Sequence, residues 1–229
     1  MEHRSYPLSI STQTIGRLPT YLSYLKSLDH SRVISISAPA IARALALNEV
    51  QVRKDLAAAG VRGGRPKTGF ILEELIDDLV HFLGCDNVSE AVLAGVGNLG
   101  RTLLSYEGFE RSGMKIVAGF DVDPHIIGQT VADKMVYPMD KLESMCRWMG
   151  VQIGIIAVPA PCAQEACDRL VQAGMLAIWN FAPVHLTAPD DVLIQNENMA
   201  VSMAILSKRL SEKLEREQSK RPPGKVAEN

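Results

Sequence analysis

The first seventy residues place apolar side chains at helical spacing in three successive runs. In TIGRLPTYLSYLKSL, residues 14–28, one helical stripe is apolar, and Pro19 lies in the first turns, where its missing N–H costs least. The stripe consists of Ile15, Leu18, Leu22, Leu25 and Leu28. Ser37 can cap a second helix in SAPAIARALAL, and Asn48 a third in NEVQVRKDLAAAG, which Gly60 ends. Two short helices joined by a short turn predict a helix-turn-helix.

The third helix has the polar half expected of a DNA-recognition helix. Its apolar side carries Val52, Leu56 and Ala59, whereas Gln51, Arg53, Lys54 and Asp55 are placed in the polar N-terminal half. Gln51 stands three residues after the Asn48 cap, as in a capping box. The N-terminal half of such a helix enters the major groove, where Gln and Arg side chains bond base edges. The predicted DNA contacts of this helix are Asn48, Gln51, Val52, Arg53 and Lys54.

A glycine-rich basic segment, VRGGRPKTGF at residues 61–70, follows this helix. Arg62, Arg65 and Lys67 give it the charge of a wing that contacts the phosphate backbone. Residues 1–70 hold ten Lys/Arg against four Asp/Glu, whereas the remainder holds fourteen against twenty-two, so the basic charge is concentrated where DNA binding is predicted. A small helical packing domain with a solvated charged face is the alternative interpretation.

From residue 91 onward, apolar strands alternate with helices, which predicts a parallel sheet with right-handed crossovers. The first strand, AVLAG, runs into GVGNLG, the turn of a dinucleotide-binding Rossmann unit. In that turn Gly95 allows the sharp bend, Gly97 lets a pyrophosphate approach the backbone, and Gly100 lets the helix pack closely. The predicted phosphate-binding positions are Gly95, Val96, Gly97, Asn98, Leu99 and Gly100.

The second strand ends at Asp121, where an acid would bond the adenine ribose hydroxyls and repel a 2′-phosphate. No Arg follows in the next four residues, so the sequence favours NAD(H), as NADH or NAD⁺, over NADP(H). A nucleotide-free Rossmann unit, or one that binds another nucleotide, remains an alternative.

Composition adds limits to these predictions. An apolar content of 47% with 22% charged residues fits a globular protein, and no apolar run has the roughly 18 residues of a membrane span. We therefore expect a cytoplasmic protein with no membrane partner. The four cysteines lack the spacing of metal ligands, so no metal is expected and the thiols are interpreted as buried and reduced.

The end of the chain leaves no room for a substrate domain. After about Ile194 one further helix fits, MAVSMAILSKRLSEKLERE, before a polar tail. Its apolar face either covers the sheet or packs into a second subunit, and a helix-turn-helix favours the dimer. His185 stands alone and the titratable residues form no catalytic set, so the cofactor is predicted to be bound and not turned over. The predicted divisions are residues 1–84, 85–195, 196–216 and a disordered tail at 217–229.

Several separate motifs together resemble the redox-sensing transcriptional repressor family Rex. They are Arg17-Leu18-Pro19 with Tyr21, QVRKDL at 51–56, GVGNLG at 95–100, FDVD at 120–123, AVPA at 157–160 and NFAPV at 180–184. The resemblance implies a homodimer with an N-terminal winged helix, a C-terminal Rossmann domain and last helices exchanged between subunits. It also implies that free or NAD⁺-bound protein holds a palindromic operator, and that NADH closes the dimer and releases the double-stranded DNA.

The resemblance assigns further residues as well. Those that would contact the ribose or line the nicotinamide side are Val122, Ala157, Val158, Pro159, Asn180 and Phe181. Arg17 and Tyr106 would couple cofactor state to domain position. Asn198 stands where the family usually has an aspartate that pairs with those two residues, and the wing sequence also departs from the family pattern.

Three rival functions follow from the same residues. The first is an NADH-responsive repressor. The second is an enzyme or enzyme subunit, either a small dehydrogenase or a CoA-binding subunit of the acyl-CoA synthetase type. The third is a DNA-binding regulator with a different ligand on its Rossmann domain.

Overall fold

The protein is described by a computed structural model that covers residues 10–65, 68–85 and 89–219. The chain divides into two compact units, Met1–Val88 with Glu110–Met114, and Ser89–Phe109 with Lys115–Asn229. Each unit has its own apolar core. The fold class is α/β, as predicted, with a winged helix-turn-helix followed by a Rossmann unit. Among the described residues, no helix is both long and apolar enough to cross a membrane.

The first unit is a winged helix. In chain order it contains α1 (Thr12–Lys26), β1 (Ser35–Ile36), α2 (Ala38–Ala44), α3 (Glu49–Ala58), β2 (Phe70–Ile71) and α4 (Leu72–Phe82). Strands β1 and β2 pair antiparallel and form the base of the wing. The fully buried side chains of Leu18, Leu25 and Leu56 join α1 to α3, whereas Ile15, predicted on the inward stripe, is 43% exposed. The two helices of the predicted helix-turn-helix are α2 and α3.

The second unit is built on a sheet of seven strands among the described residues. From residue 89 onward the elements are β3 (Ser89–Ala94), α5 (Asn98–Leu104), α6 (Gly108–Arg111), β4 (Met114–Asp121), β5 (Thr130–Val131), β6 (Lys134–Pro138), α7 (Leu142–Met149), β7 (Ile153–Ile156), α8 (Ala160–Gln172), β8 (Ala177–Asn180), β9 (Leu193–Asn196) and α9 (Met199–Ser219). The second half of α6 and the first residue of β4 fall within Glu110–Met114 and so belong to the first unit. The strand order is β5-β6-β4-β3-β7-β8-β9. The order reverses at β3, so the glycine turn after β3 lies at the switch point where such sheets bind ligands.

One strand pair departs from the predicted parallel pattern. β5 runs antiparallel to β6 through a two-residue turn, in which Ala132 and Asp133 have φ values of +47° and +64°. Positive φ at both central residues is the conformation of a hairpin turn that matches strand twist. Ala132 is not a residue type that signals such a turn, so the sequence pattern left this segment unassigned.

The terminal helix is longer than predicted. Residues 196 and 197 precede α9, which begins at Met199 and continues to Ser219, three residues beyond the predicted end at 216. The Lys213–Glu217 ion pair lies at the i,i+4 spacing that stabilises an exposed helix. The rest of the predicted disordered tail, residues 220–229, lies outside the described residues.

Candidate functional site

The turn between β3 and α5 has the backbone geometry that its glycines predict. Gly95 has φ +95°, and a Cβ there would lie 2.7 Å from the carbonyl oxygen of Ala157. A Cβ on Gly100 would clash with the carbonyl oxygen of Gly95. Gly97 differs, because a Cβ on it would meet no described atom within 4 Å. The fold therefore requires Gly95 and Gly100, while Gly97 leaves open space beside the turn.

Asp121, at the end of β4, is tied to the same turn. Its Oδ2 accepts the N–H of Val96 at 2.6 Å. Its Oδ1 accepts the N–H groups of Val122 at 2.7 Å and Asp123 at 2.9 Å. The N–H of Val96 is therefore bonded to Asp121, and the side chain of Val96 is fully buried. Neither group is available to a phosphate, so the prediction that Val96 binds one is wrong. Because Oδ2 accepts one bond within the described chain, it keeps acceptor capacity for a ribose hydroxyl.

The start of α5 carries the donors that a pyrophosphate needs. Four successive N–H groups have no acceptor in the described part of the chain, and these are the N–H groups of Gly97, Asn98, Leu99 and Gly100. Unpaired N–H groups at the positive end of a helix attract anions. A pyrophosphate therefore fits the turn without displacing an existing hydrogen bond.

A cleft of about 250 Å³ opens beside this turn. The predicted cofactor residues that line it are Gly95, Gly97, Asp121, Val122, Ala157, Val158 and Pro159. It is also lined by residues that the sequence reasoning missed, namely Phe120, Met139, Cys162, Glu165, Ala166 and Arg169. The last four share one face of α8 at i, i+3, i+4 and i+7, a spacing that the sequence displays directly after AVPA.

The cysteines do not all fit the interpretation of buried thiols. Cys162 is exposed in the cleft. Cys146 and Cys167 are buried, and burial raises the pKa of Cys146 to about 11 and also raises the pKa of Cys167. No group of three or more His, Cys, Asp or Glu among the described residues is arranged to hold a metal ion.

Two predicted cofactor residues lie away from this cleft. Asn180 is fully buried, and its Nδ2 donates to the carbonyl oxygen of Val184 at 3.0 Å and to Asn196 Oδ1 at 2.8 Å. It holds the loop after β8 and has no surface left for a cofactor, so that prediction is wrong. Phe181 packs on Trp179 with ring centroids 4.7 Å apart, and its contact with the nicotinamide side stays a prediction.

The start of α3 is organised around its cap. Asn48 Oδ1 accepts the N–H groups of Val50 at 2.8 Å and Gln51 at 3.2 Å, which confirms the predicted cap. The Gln51 side chain does not return to the cap, so the predicted capping box is wrong. Its Nε2 instead donates to Asp55 Oδ1, one turn along the helix, at 2.9 Å, and the charge of the carboxylate strengthens this bond.

Exposed cations remain on α3 and the wing. Arg53 is ion-paired with Glu49 and 63% exposed, and Lys54 is also exposed. Arg65 is exposed, while its backbone pairs with Gly69 across the turn of the wing. Their contacts with phosphate or bases stay predictions, and Lys67 lies outside the described residues.

Two other predicted DNA contacts are used inside the unit. Val52 is fully buried in the core, so it supports α3 from behind and offers no surface to DNA. Arg62 bonds the nearly buried carboxylate of Asp78 through Nε at 3.0 Å, and its own N–H donates to the same carboxylate at 2.8 Å. Arg62 thus fastens the wing to α4, and Asp78 raises its pKa.

A buried carboxylate that the sequence reasoning left on the polar side of α3 is the centre of a hydrogen-bond cluster. Asp55 is 1% exposed. Arg17 Nε and Nη2 donate to its two oxygens at 2.7 and 2.8 Å, and the Tyr21 hydroxyl donates to Oδ2 at 2.7 Å. Although burial opposes ionisation, these donors lower the pKa of Asp55 to about 2. Burial, together with the Asp55 carboxylate, raises the pKa of Tyr21 to about 12.

Comparison with known families agrees with this division. The family described as "Putative DNA-binding protein N-terminus" matches residues 9–57, and the family described as "CoA binding domain" matches residues 86–184. A redox-sensing transcriptional repressor Rex from Carboxydothermus hydrogenoformans is 41% identical over 198 residues, which cover 86% of this chain and 95% of the relative. The chain belongs to the Rex family.

Solved structures of a Rex-family repressor, RSP, are also similar. The complex of RSP with β-NAD⁺ and operator DNA has a TM-score of 0.84 and 34% identity, covering 96% of this chain and all of RSP. The complex of RSP with β-NADH has a TM-score of 0.82 and 33% identity, covering 93% of this chain and all of RSP. The Rex relatives that match are named as transcriptional repressors.

The three residues that the Rex resemblance assigns to a switch each have a local environment here. Arg17 bonds Asp55 and Thr14 within the first unit. Tyr106 is 57% exposed and lies edge-on to Phe109, with centroids 4.9 Å apart. Asn198 accepts the N–H of Val201 at 3.1 Å. The amide at the usual Rex aspartate position thus caps α9, and the switch roles stay predictions.

Proposed function

We propose that this chain is a transcriptional repressor that binds a palindromic operator and reports the NADH/NAD⁺ ratio. In this proposal α3 and the wing contact the DNA, and the cleft beside the glycine turn binds the dinucleotide. The observation that carries it is the presence, in one Rex chain, of a capped recognition helix and a Rossmann cleft with free phosphate-binding donors. RSP, 34% identical, is known with β-NAD⁺ and operator DNA together.

Release of the operator follows from linkage between the two sites. The free or NAD⁺-bound protein holds the operator, and NADH favours a form that binds it poorly. A ligand shifts such an equilibrium by the ratio of its affinities for the two forms, and the operator must weaken NADH binding by the same factor. NADH therefore acts as a signal, and no hydride transfer is required of the protein.

The proposal includes a homodimer in which α9 is exchanged between subunits. Apolar side chains along α9 are half or more exposed in the single chain, and they include Val201, Met203, Ile205, Leu206 and Leu210. Burial against a second copy would remove this apolar surface from water, and a palindromic operator requires two recognition helices. We assign residues 1–84 to DNA binding, 85–195 to the dinucleotide and 196–216 to the dimer.

The proposal assigns no catalytic activity and a cytoplasmic location, where operator DNA and the NADH pool meet. The described residues that line the cleft include no histidine, and His185 is exposed in a loop. The matching Rex relatives are named as transcriptional repressors, and these names support a role without catalysis. Because the family that matches residues 86–184 is described as "CoA binding domain", CoA should be included in every binding test.

The test is a fluorescence-anisotropy titration of the purified protein with a palindromic duplex selected from a random library. NADH should abolish binding at concentrations where NAD⁺ leaves it intact, and higher salt should weaken binding. Calorimetry with NADH, NAD⁺, NADPH, ATP and CoA identifies the ligand of the cleft. Unchanged DNA binding at saturating NADH would refute redox sensing, and stronger binding of CoA than of NADH would reassign the cleft.

A further inference from the structure

The Asp55 carboxylate has a donor on each of its four acceptor positions. Oδ1 accepts from Arg17 Nη2 at 2.8 Å and from Gln51 Nε2 at 2.9 Å. Oδ2 accepts from Arg17 Nε and from the Tyr21 hydroxyl, both at 2.7 Å. A carboxylate offers about four lone-pair sites, so the set is complete. The cluster joins α1, through Arg17 and Tyr21, to the first turn of α3, through Gln51.

This arrangement fixes which way the Gln51 amide points. An ionised carboxylate can only accept hydrogen bonds, so Gln51 must turn its NH₂ group, and not its oxygen, toward Asp55. The opposite rotamer would place the amide oxygen against a carboxylate oxygen. Gln51 lies in the N-terminal turn of α3, is partly exposed and accepts no hydrogen bond at Oε1 from the described part of the chain. The bond to Asp55 fixes the position of the amide nitrogen, which keeps one further N–H, and leaves the amide oxygen free to accept a hydrogen bond from a partner.

We propose that Asp55 is a positioning residue for operator recognition, which sets Gln51 to read its base as a hydrogen-bond acceptor. The inference rests on the proposed function, because it requires α3 to enter a major groove. In that groove adenine N6 and cytosine N4 are donors, whereas thymine O4 and guanine O6 are acceptors at the same place. Gln51 then selects adenine or cytosine on the strand that it contacts. A glutamine whose amide group rotates freely could bond either the donor bases or the acceptor bases.

The test compares base preference, and not affinity alone, because a loosened fold lowers affinity for every sequence. Selection from a random duplex library gives the preferred operator, and single base-pair changes at each position then measure discrimination. Gln51→Ala locates the position that Gln51 reads, because discrimination there is lost. Asp55→Asn, an isostere that can turn a donor or an acceptor toward Gln51, should reduce discrimination between donor and acceptor bases at that position at least threefold, with the other positions unchanged.

Two further variants keep the test decisive if Asp55→Asn does not fold. Gln51→Glu retains an acceptor but no amide donor, so it should keep the adenine or cytosine preference at reduced affinity. Tyr21→Phe removes a different donor from Asp55 and should leave the base preference unchanged. A shift of Gln51→Glu toward thymine or guanine, or unchanged discrimination in folded Asp55→Asn, would overturn the inference while the repressor function stood. Failure of the natural chain to select any duplex would instead refute the proposed function.

Discussion

The glycine turn and the winged helix differ in how well the spacing of residues in the sequence predicts the role of each residue. At the glycine turn, Gly95 and Gly100 do what their spacing predicts. Gly100 lies against the Gly95 carbonyl oxygen of the same turn, and Gly95 lies against Ala157 and Val158, which follow β7. On the winged helix, arginines in similar sequence contexts differ in their exposure and in the carboxylates with which they pair. Arg53 is exposed, whereas Arg62 is fastened to Asp78 and Arg17 to Asp55. A carboxylate distant in sequence thus decides which arginine is held within the unit.

Among the substitutions that test this difference, Gly100→Ala is expected to have the largest effect on stability. The added methyl group would clash with the Gly95 carbonyl oxygen, which is backbone and cannot rotate away. We expect the free energy of unfolding of the second unit to fall by about 3 kcal/mol or more. Urea denaturation followed by near-UV circular dichroism measures this. A variant as stable as the natural chain would show that the turn is not packed as described.

Gly97→Ala is the matched substitution in the same turn. A Cβ there meets no described atom within 4 Å, so stability should not fall and could rise by roughly 0.4–1 kcal/mol through the unfolded state. The methyl group would instead occupy space that a pyrophosphate needs. We expect NADH affinity to fall by at least roughly tenfold, about 1.4 kcal/mol, in calorimetry. Operator binding should persist and lose its response to NADH, and full NADH affinity would contradict the placement of the pyrophosphate.

On the winged helix, Arg53→Ala and Arg62→Ala form the corresponding pair. Arg53→Ala should weaken operator binding by about tenfold and reduce the slope of log affinity against log salt by about 1, because an exposed cation is lost. Arg62→Ala should lower stability, because the Asp78 carboxylate loses its partner, and leave the salt slope close to that of the natural chain. Equal salt slopes in the two variants would remove the distinction between Arg53, which pairs with an exposed glutamate, and Arg62, which pairs with a nearly buried carboxylate.

The smallest effect is expected from Tyr21→Phe. Loss of the hydroxyl bond to Asp55 should cost about 1 kcal/mol at neutral pH, because Arg17 and Gln51 still donate to the carboxylate. Tyr21 has a raised pKa in the folded protein, so its contribution is complete below pH 10 and is lost as pH rises toward about 12. The stability difference between the two proteins should therefore shrink over that interval. A difference that is constant from pH 8 to 12 would contradict the bond.

The sequence was sufficient to predict the elements that depend on residues close together in the chain. Helix caps, the glycine turn and the alternation of strands and helices predicted both units, because each depends on residues a few positions apart. The β5–β6 hairpin was missed because Ala132 adopts positive φ without being a turn-forming residue type. Asp55 and Asn180 were misplaced for another reason. Their polar side chains are buried by partners that only the fold brings together, up to 38 residues away for Arg17 and Asp55.

The bond between Asp121 Oδ2 and the Val96 N–H has a consequence for the rate of response. It joins the ribose-binding position to the glycine turn as one unit, so the conformational entropy of ordering both is lost when the protein folds and not when the ligand arrives. A turn that is ordered in advance adds no ordering step of its own to association. The time needed to relieve repression would then be governed by the later steps, namely the change of form and the departure of the operator from α3.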